Sequence, residues 1–201
     1  GTACVLASIG SCFDKPVGST MMFEEVAGLV AIQISGSGPG TRATITAPEP
    51  LSTRPLNPEI DLSACVGLNP ADIASEIHQP IVASVGLQFA FAQVTNLDAL
   101  ARAIPDAAAF TRANSLWGNP GLGLSIMLYT PLADTPHTVR ARMFAPLDGV
   151  PEDPATGSAS GALGGLLAHL NPSPGGEFNL TIHQGVEMGR PSLIEVTSIK
   201  R

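Results

Sequence analysis

Alternating apolar and polar positions recur along this chain of 201 residues, and they predict strands. In the segment GLVAIQIS, residues 28–35, the apolar side chains of Val30, Ile32 and Ile34 fall on one face. The segment TRATITA, residues 41–47, follows after a turn rich in Gly, Ser and Pro. The two segments therefore predict an antiparallel hairpin.

The same pattern predicts further strands downstream. Residues 80–94 predict a strand pair in which Leu87, Phe89 and Phe91 share one face. The other predicted strands are residues 124–130, 138–146, 177–185 and 192–199.

Helical periodicity and capping residues predict several helices. The opening segment GTACVLASIG predicts a buried helix that ends at Gly10. Asn69 followed by Pro70 predicts a helix start, with Asn69 as the N-cap. Residues 96–104 predict an amphipathic helix whose inward positions are Leu97, Leu100, Ala101 and Ile104.

The run GSASGALGGLLAHL, residues 157–170, predicts a helix that is apolar all round and therefore buried. Each of Gly161, Gly164 and Gly165 costs about 1 kcal/mol of helix propensity relative to Ala. Such glycines are tolerated where a sheet packs so close to the helix that no side chain fits. We therefore expect a sheet against this helix.

The order of elements shows no regular strand–helix–strand repeat, which predicts an α+β fold with mostly antiparallel strands. The segment PEPLSTRPLNPEIDL carries four prolines and has no periodicity, so a domain boundary is predicted near Pro48. The predicted domains are residues 1–47, the remainder of a first domain, and 48–192, a second domain. Residues 193–201 are predicted to be a strand that returns to the first domain. The segments GTACVLASIG and GSASGALGGLLAHL both begin Gly–hydroxyl–Ala, which indicates two similar halves.

Composition narrows the functional classes. With only ten Lys and Arg residues and a formal net charge of −7, the chain is not expected to bind nucleic acid. No apolar run approaches the ~20 residues of a membrane helix, so no membrane partner is predicted. The cysteines, Cys4, Cys12 and Cys65, have no C-x-x-C spacing, so neither a disulfide framework nor a zinc site is predicted. A reducing, cytoplasmic location is the corresponding expectation.

The segment EDPATGSASG, residues 152–161, carries the candidate chemistry. The free backbone N–H groups of Gly157, Ser158 and Ala159 open the apolar helix at the positive end of its dipole, which suits a substrate carboxylate. The hydroxyls of Thr156 and Ser158 are able to cap the helix or to donate to a ligand. Asp153, held extended by the following proline, is predicted to lie near the same spot. The alternative interpretation is that Asp153 and Thr156 only cap a core helix.

Other candidate groups carry weaker signals. The chain has no phosphate-binding loop that ends in Gly-Lys-Ser/Thr, and Ser158 lacks the G-x-S-x-G frame of a serine hydrolase. His169, His183 and Arg190 are expected to be structural, and His78 and His137 to lie in loops.

The stretch RMFAPLDGVPEDPATGSASGALGGLLAHL, together with HQGVEMGRPSLIEV, strongly resembles the signatures of the PhzF-like (phenazine biosynthesis-like) proteins. The resemblance implies a diaminopimelate-epimerase-like fold, in which two similar domains each wrap a mostly antiparallel sheet round a central helix, with the active site between them. It also implies an isomerase without metal or organic cofactor, usually a homodimer, that acts on a small carboxylate-bearing substrate.

The resemblance further implies roles for individual residues. Asp153 corresponds to a polar partner near the migrating proton, while Gly157 and Ser158 correspond to the groups that bind the substrate carboxylate. The family's main acid/base glutamate and its Gly-His segment have no counterpart in this chain, and Glu152 and Glu24 are the available substitutes. We therefore expect the chain alone to be inactive, with an N-terminal segment or a second polypeptide completing the enzyme.

Two functional hypotheses follow. One is a cofactor-independent isomerase that performs a carboxylate-driven proton shift, which the absence of paired cysteines near the helix favours over two-thiol racemisation. The other is a non-catalytic small-ligand binding or assembly protein that keeps the cleft.

Overall fold

The computed structural model describes residues 2–12, 14–25, 28–119 and 121–200. The chain divides into two compact units, with the division between Pro50 and Leu51. This point lies in the proline-rich stretch on which the predicted boundary was placed.

The N-terminal unit is built from one helix and short strands. Its elements are α1 (Thr2–Ile9), β1 (Ser11–Cys12), β2 (Lys15–Pro16), β3 (Thr20–Glu25), β4 (Gly28–Ser35) and β5 (Arg42–Ile45). Strands β3, β4 and β5 form an antiparallel sheet in that order, which confirms the predicted hairpin. The helix ends as predicted, with Gly10 in the left-handed conformation at φ +79°.

The prediction that α1 is buried was wrong. Its only buried residue among those described is Ala3, which packs with Val30 and Ile32 of β4. Val5 and Ile9 are 57% and 64% exposed. The small sheet of this unit covers one face of the helix, and apolar composition alone does not reveal how many faces find a partner.

The C-terminal unit holds the remaining helices and a large sheet. Its helices are α2 (Leu62–Cys65), α3 (Leu97–Arg102), α4 (Ala107–Trp117) and α5 (Gly157–Leu170). Its strands are β6 (Ser52–Pro55), β7 (Ile73–Ala74), β8 (Ile81–Ser84), β9 (Gln88–Val94), β10 (Ile126–Pro131), β11 (Thr138–Ala145), β12 (Val150–Asp153), β13 (Gly176–Gln184) and β14 (Ser192–Lys200).

These strands form a single sheet of nine strands in the order β14-β13-β11-β10-β9-β8-β6, with β12 paired to β11 and β7 paired to β9. The β9–β10 and β11–β13 pairs are parallel, and the other pairs are antiparallel. The unit is therefore mixed α/β with a mostly antiparallel sheet, as the element order predicts.

The central strands of the large sheet are covered on both faces, whereas β14 at its edge has one exposed face. Along β9, the alternate residues Phe89 and Phe91 enter the core that surrounds α5, whereas Ala90 and Ala92 enter the core beneath the other helices. Helix α5 is buried as predicted, and its side chain Leu163 is fully inaccessible. Strands buried on both faces hold this helix rigidly, which fixes the position of its N-terminus.

The C-terminal strand is a correction to the predicted domain layout. Strand β14 is part of the C-terminal unit, where it pairs with β13 over its full length, from Ser192 opposite Gln184 to Lys200 opposite Gly176. It also packs on α5, where Gly164 lies against Val196. The alternation of β14 suits any sheet edge, so the pattern alone did not identify its neighbour.

Two predicted helices differ in detail. The predicted start at Asn69 produces a single 3-10 turn, in which the Asn69 amide donates to Asp72 at 3.0 Å, and the chain then enters β7. In the segment predicted as this helix, Leu97, Ala101 and Ile104 are exposed, whereas Ala99, Leu100 and Ala103 are buried. The helix ends at Arg102, and the backbone of Ala103 leaves the helical conformation with ψ 128°, so Ile104 no longer follows the helical period.

In the described part of the chain, no helix has the length and apolarity that crossing a bilayer requires.

Candidate active site

The N-terminus of α5 differs from those of the other helices in the same unit. Helices α2, α3 and α4 are each capped by a side chain, namely Asp61, Asn96 and Asp106, which accepts a hydrogen bond from a backbone amide of the first turn. The residue before α5, Thr156, has extended backbone and makes no such bond. No side chain among the described residues therefore caps the first amides of α5, and a helix end of this kind attracts an anion.

The hydroxyl of Thr156 is directed at Asp153 instead. Thr156 Oγ1 donates to Asp153 Oδ2 at 2.6 Å, and the only contact to Asp153 Oδ1 among the described residues is a long one of 3.5 Å from the amide of Ala155. The alternative interpretation, in which Asp153 and Thr156 cap the helix, is therefore wrong. The aspartate, at the end of β12, is held beside the helix end.

Gln184, which the sequence analysis did not single out, joins the two ends of this turn. The residue is fully buried at the end of β13. Its Oε1 accepts from the Thr156 amide at 3.1 Å, while its Nε2 donates to the carbonyl of Asp153 at 2.7 Å and to Thr156 Oγ1 at 3.0 Å. The signal for its role was the alternation of β13, which places Gln184 on the same buried face as Leu180 and Ile182.

Gly185 allows the turn to approach the sheet closely. It has φ +74°, and a Cβ atom there would lie 2.8 Å from the carbonyl oxygen of Pro154 and would also collide with the carbonyl of Arg190. Only glycine fits this space. The turn that carries Asp153 therefore rests directly on the backbone that follows β13.

An ion pair anchors Glu152, the residue that precedes Asp153. Arg142 of β11 binds both carboxylate oxygens of Glu152, each at 2.8 Å, and its third nitrogen donates to three carbonyls at the C-terminal end of α3. Arg142 is only 7% exposed. Both oxygens of Glu152 are thus engaged, which makes this residue a structural anchor and not a substitute acid/base. Glu24 lies exposed on β3 of the N-terminal unit.

The exposure of the predicted site residues suits a binding function. Asp153 and Ser158 are half-buried, Gly157 is exposed, and Thr156 and Ala159 are buried. The side chain that is directed inward is Ser160, whose fully buried hydroxyl has no partner among the described residues. Of the three predicted amide donors, those of Gly157 and Ser158 belong to residues with accessible surface, whereas Ala159 has none and is not reachable from outside.

Two hollows of the C-terminal unit lie away from the N-terminus of α5. A polar one of about 530 Å³ is lined by the loop that contains Gly118 and Gly123 and by Asp148. A more apolar one of about 540 Å³ lies at the opposite end of α5, beside Leu167 and Leu170. Neither includes residues 153–159, so the site rests on the local geometry of the helix end.

The comparison with known families decides what kind of protein this is. The sequence model of the family described as phenazine biosynthesis-like protein (PhzC-PhzF) matches residues 1–201. The chain belongs to this family. The expectation drawn from its two signature segments is thereby confirmed.

Relatives of this phenazine biosynthesis-like protein carry the name isomerase. An uncharacterized isomerase of Mesorhizobium japonicum is 32% identical over 149 residues, which are 74% of this chain and 49% of that protein. The trans-2,3-dihydro-3-hydroxyanthranilate isomerase of Pseudomonas chlororaphis is 29% identical over 175 residues, or 87% of this chain and 56% of that protein. The chain spans about half the length of these curated relatives.

Solved structures show the same fold. A Bacillus anthracis phenazine biosynthesis protein of the PhzF family aligns with a TM-score of 0.80 at 24% identity, over 100% of this chain and 66% of that one. A predicted epimerase of Pseudomonas aeruginosa aligns with a TM-score of 0.70 at 22% identity. The architecture of this chain is therefore that of PhzF-family proteins.

Of the remaining candidate residues, Arg190 lies nearest to the site turn, because its backbone carbonyl packs against Gly185 beneath Pro154. His169 is exposed in the last turn of α5, and Arg190 is exposed in a loop. His137, also in a loop and with φ +52°, packs edge-on against Phe178. His78 lies in a loop as predicted, but it is buried.

Proposed function

We propose that this phenazine biosynthesis-like protein is a cofactor-independent isomerase that shifts a proton within a small carboxylate-bearing metabolite. The observation that carries the proposal is the uncapped N-terminus of α5 with the Asp153 carboxylate held beside it. The amides of Gly157 and Ser158, which are accessible, would bind the substrate carboxylate, and the small side chains there leave room for it.

The proposed chemistry is a proton transfer without change of oxidation state. A C–H bond of the substrate breaks, its proton passes to a carboxylate, and a proton returns to a different carbon. Asp153 lies at the path of this proton, and Thr156 supports Asp153. Negative charge that develops on the substrate carboxylate would be stabilised by the amides and the helix dipole, which are already oriented before the reaction.

The carboxylate site is tested with anthranilate as a probe and anthranilamide, its neutral counterpart, as the control. Amide NMR resonances of Gly157, Ser158 and Ala159 should shift saturably with anthranilate and not with anthranilamide. The measurement uses the full-length native protein, because the chain spans about half the length of its curated relatives. Equal responses to both compounds would contradict carboxylate recognition.

A matched pair of variants at Gly157 isolates one backbone donor. Gly157→Pro removes the first amide of α5, and the extended backbone of Thr156 accepts a following proline. A Cβ at Gly157 meets no atom within 4 Å, so Gly157→Ala keeps the amide in open space. The proline variant should weaken anthranilate binding by about tenfold or more, the value of one hydrogen bond to a charged group. The alanine variant should bind like the wild type.

Catalysis is tested by deuterium incorporation from heavy water into small carboxylic acids with an activated C–H bond. The first of these is trans-2,3-dihydro-3-hydroxyanthranilate, which the name of the Pseudomonas relatives suggests. Asp153→Asn should lower the exchange rate by about 100-fold or more, as expected for loss of a group that acts on the proton, while anthranilate still binds. Saturable binding without exchange in the wild type would support the non-catalytic binding protein instead.

A further inference from the structure

The hydrogen bonds of Gln184 fix the direction of a short series of hydrogen bonds that runs from Gln184 through Thr156 to Asp153. Gln184 Nε2 donates to Thr156 Oγ1 at 3.0 Å, so this hydroxyl oxygen is already an acceptor. The single hydroxyl proton of Thr156 then has Asp153 Oδ2 as its acceptor, at 2.6 Å. The order of donors and acceptors is therefore fixed by the glutamine amide.

The two oxygens of Asp153 are made unequal by this series of hydrogen bonds. Oδ2 is occupied by a short hydrogen bond from a buried hydroxyl, while the only contact to Oδ1 among the described residues is the amide of Ala155 at 3.5 Å, the outer limit of a hydrogen bond. Oδ1 is thus the oxygen left for a substrate proton.

Gln184 also fixes the backbone on both sides of the turn. It accepts from the amide of Thr156 and donates to the carbonyl of Asp153, so both ends are tied to one buried side chain. All of its amide hydrogens and its oxygen have partners. A buried amide that is satisfied in this way resists rotation, because any flip would break each of these bonds.

We propose that Gln184 is a positioning residue that, through Thr156, orients the Asp153 carboxylate so that its Oδ1 oxygen faces the substrate. This inference rests on the proposed function. It predicts that loss of Gln184 lowers the rate of the proton shift far more than the affinity for the substrate carboxylate, which the amides of α5 hold.

The central variant is Gln184→Glu, which keeps the size of the side chain and an acceptor for the Thr156 amide. It removes the donors to Thr156 Oγ1 and to the Asp153 carbonyl, and it gives the Thr156 hydroxyl a second acceptor. Gln184→Met introduces no buried charge, and it is the variant to be measured if Gln184→Glu does not fold. Gln93→Met on β9 is the matched control, because Gln93 is a half-buried strand glutamine whose side-chain oxygen has no partner among the described residues.

The readouts are kcat and KM for deuterium exchange into trans-2,3-dihydro-3-hydroxyanthranilate, and Kd for anthranilate, in the full-length native protein. We expect each Gln184 variant to lower kcat by about 100-fold, the effect of misplacing a reacting group by about 1 Å, with KM and Kd within about threefold. Thr156→Val should lower kcat similarly, and Thr156→Ser, which restores the hydroxyl, should recover most of the loss. Gln93→Met should leave all three constants unchanged.

The outcomes separate this inference from the proposed function. If the wild type exchanges deuterium and the Gln184 variants retain its kcat, the positioning role is overturned and the isomerase proposal stands. If kcat and Kd worsen together, Gln184 only maintains the shape of the helix end, which also overturns the inference. If the wild type binds anthranilate but exchanges no deuterium, the proposed function fails, and the positioning role fails with it.

Discussion

At the scale of single residues, the adjacent acids Glu152 and Asp153 have opposite environments. Glu152 has both oxygens in the ion pair with Arg142, whereas Asp153 Oδ1 has no partner closer than 3.5 Å among the described residues. Strand β12 turns alternate side chains to opposite faces of the sheet, so neighbouring residues meet different surroundings. Asp153 therefore remains available for chemistry, because Arg142 pairs with the neighbouring Glu152 instead.

His78 illustrates the same dependence on partners. Its Nδ1 lies 2.7 Å from the carbonyl of Gln79, and its Nε2 lies 2.7 Å from the hydroxyl of Tyr129. Since a carbonyl only accepts, Nδ1 carries the proton and Nε2 accepts from the tyrosine. Burial lowers the pKa of His78 below its ordinary value of 6.5, and burial also raises the pKa of the Tyr129 hydroxyl.

This arrangement predicts a pH dependence of stability. Below pH 6.5 the unfolded chain binds a proton at His78 more readily than the folded protein does. The contribution of neutral, buried His78 to the free energy of unfolding is therefore complete above pH 6.5 and is lost as the pH falls. Urea unfolding between about pH 7 and about pH 5 should therefore show a smaller loss of unfolding free energy for His78→Gln than for the wild type.

The quantity compared is the change in the free energy of unfolding with pH and not its absolute value, since His78→Gln also alters a buried contact. His169→Gln, at an exposed histidine of α5, should retain the wild-type change. An identical change in the His78 variant would refute the assignment.

At the scale of elements, the glycines of α5 act in different ways. A Cβ at Gly164 would lie 2.5 Å from Cγ1 of Val196 on β14, whereas a Cβ at Gly161 would meet Cγ2 of Val85 at an ordinary 3.4 Å. The sequence predicted close packing along this helix, and the structure locates the tight contact at Gly164. The contacts are made by side chains of the neighbouring segments and not by sheet backbone.

Gly164→Ala should destabilise the protein by about 1–3 kcal/mol, the usual cost of overpacking a rigid core. Gly161→Ala is the matched control, and it should be neutral or stabilising by up to about 1 kcal/mol because alanine is the better helix former. Urea unfolding at neutral pH measures both. Adding Val196→Ala to the Gly164 variant should recover stability; equal effects of the two single substitutions would argue against this packing.

Predictions of elements succeeded where a long apolar pattern had a clear end, as in α5, β13 and β14. They failed where the element was short or its apolar residues were few. Helix α2 and strand β7 are too short for a period to show, and α4, with polar residues over much of its surface, was missed. Such elements form because the rest of the unit supplies their partners.

At the scale of the whole molecule, burial is divided unevenly between the two units. Both large hydrophobic cores lie entirely within the C-terminal unit, while the core of the N-terminal unit contains the buried residues Ala3, Val30 and Ile32. Stability per unit should follow this division, because buried apolar area is the main favourable contribution to folding.

The fragment 51–201 should therefore fold alone. We expect a cooperative urea transition and dispersed amide resonances that overlay those of the intact chain for residues of α5 and its sheet. The fragment 1–50 should remain largely unfolded under the same conditions. A fragment 51–201 with collapsed, undispersed resonances would show that its cores need the preceding unit.

The sequence by itself determined the family, the mostly antiparallel character of the strands, the bounds of α5 and the place of the candidate site at its N-terminus. Local periodicity and one contiguous motif predict these properties, because each depends on residues that are close together in the sequence. Only the tertiary structure decided that Thr156 serves Asp153 instead of the helix, that Glu152 is an anchor, and that Gln184 lies beneath the turn. Those roles depend on contacts between residues up to 42 positions apart, and the direction of a hydrogen bond across such a gap is set by the packing of the whole sheet.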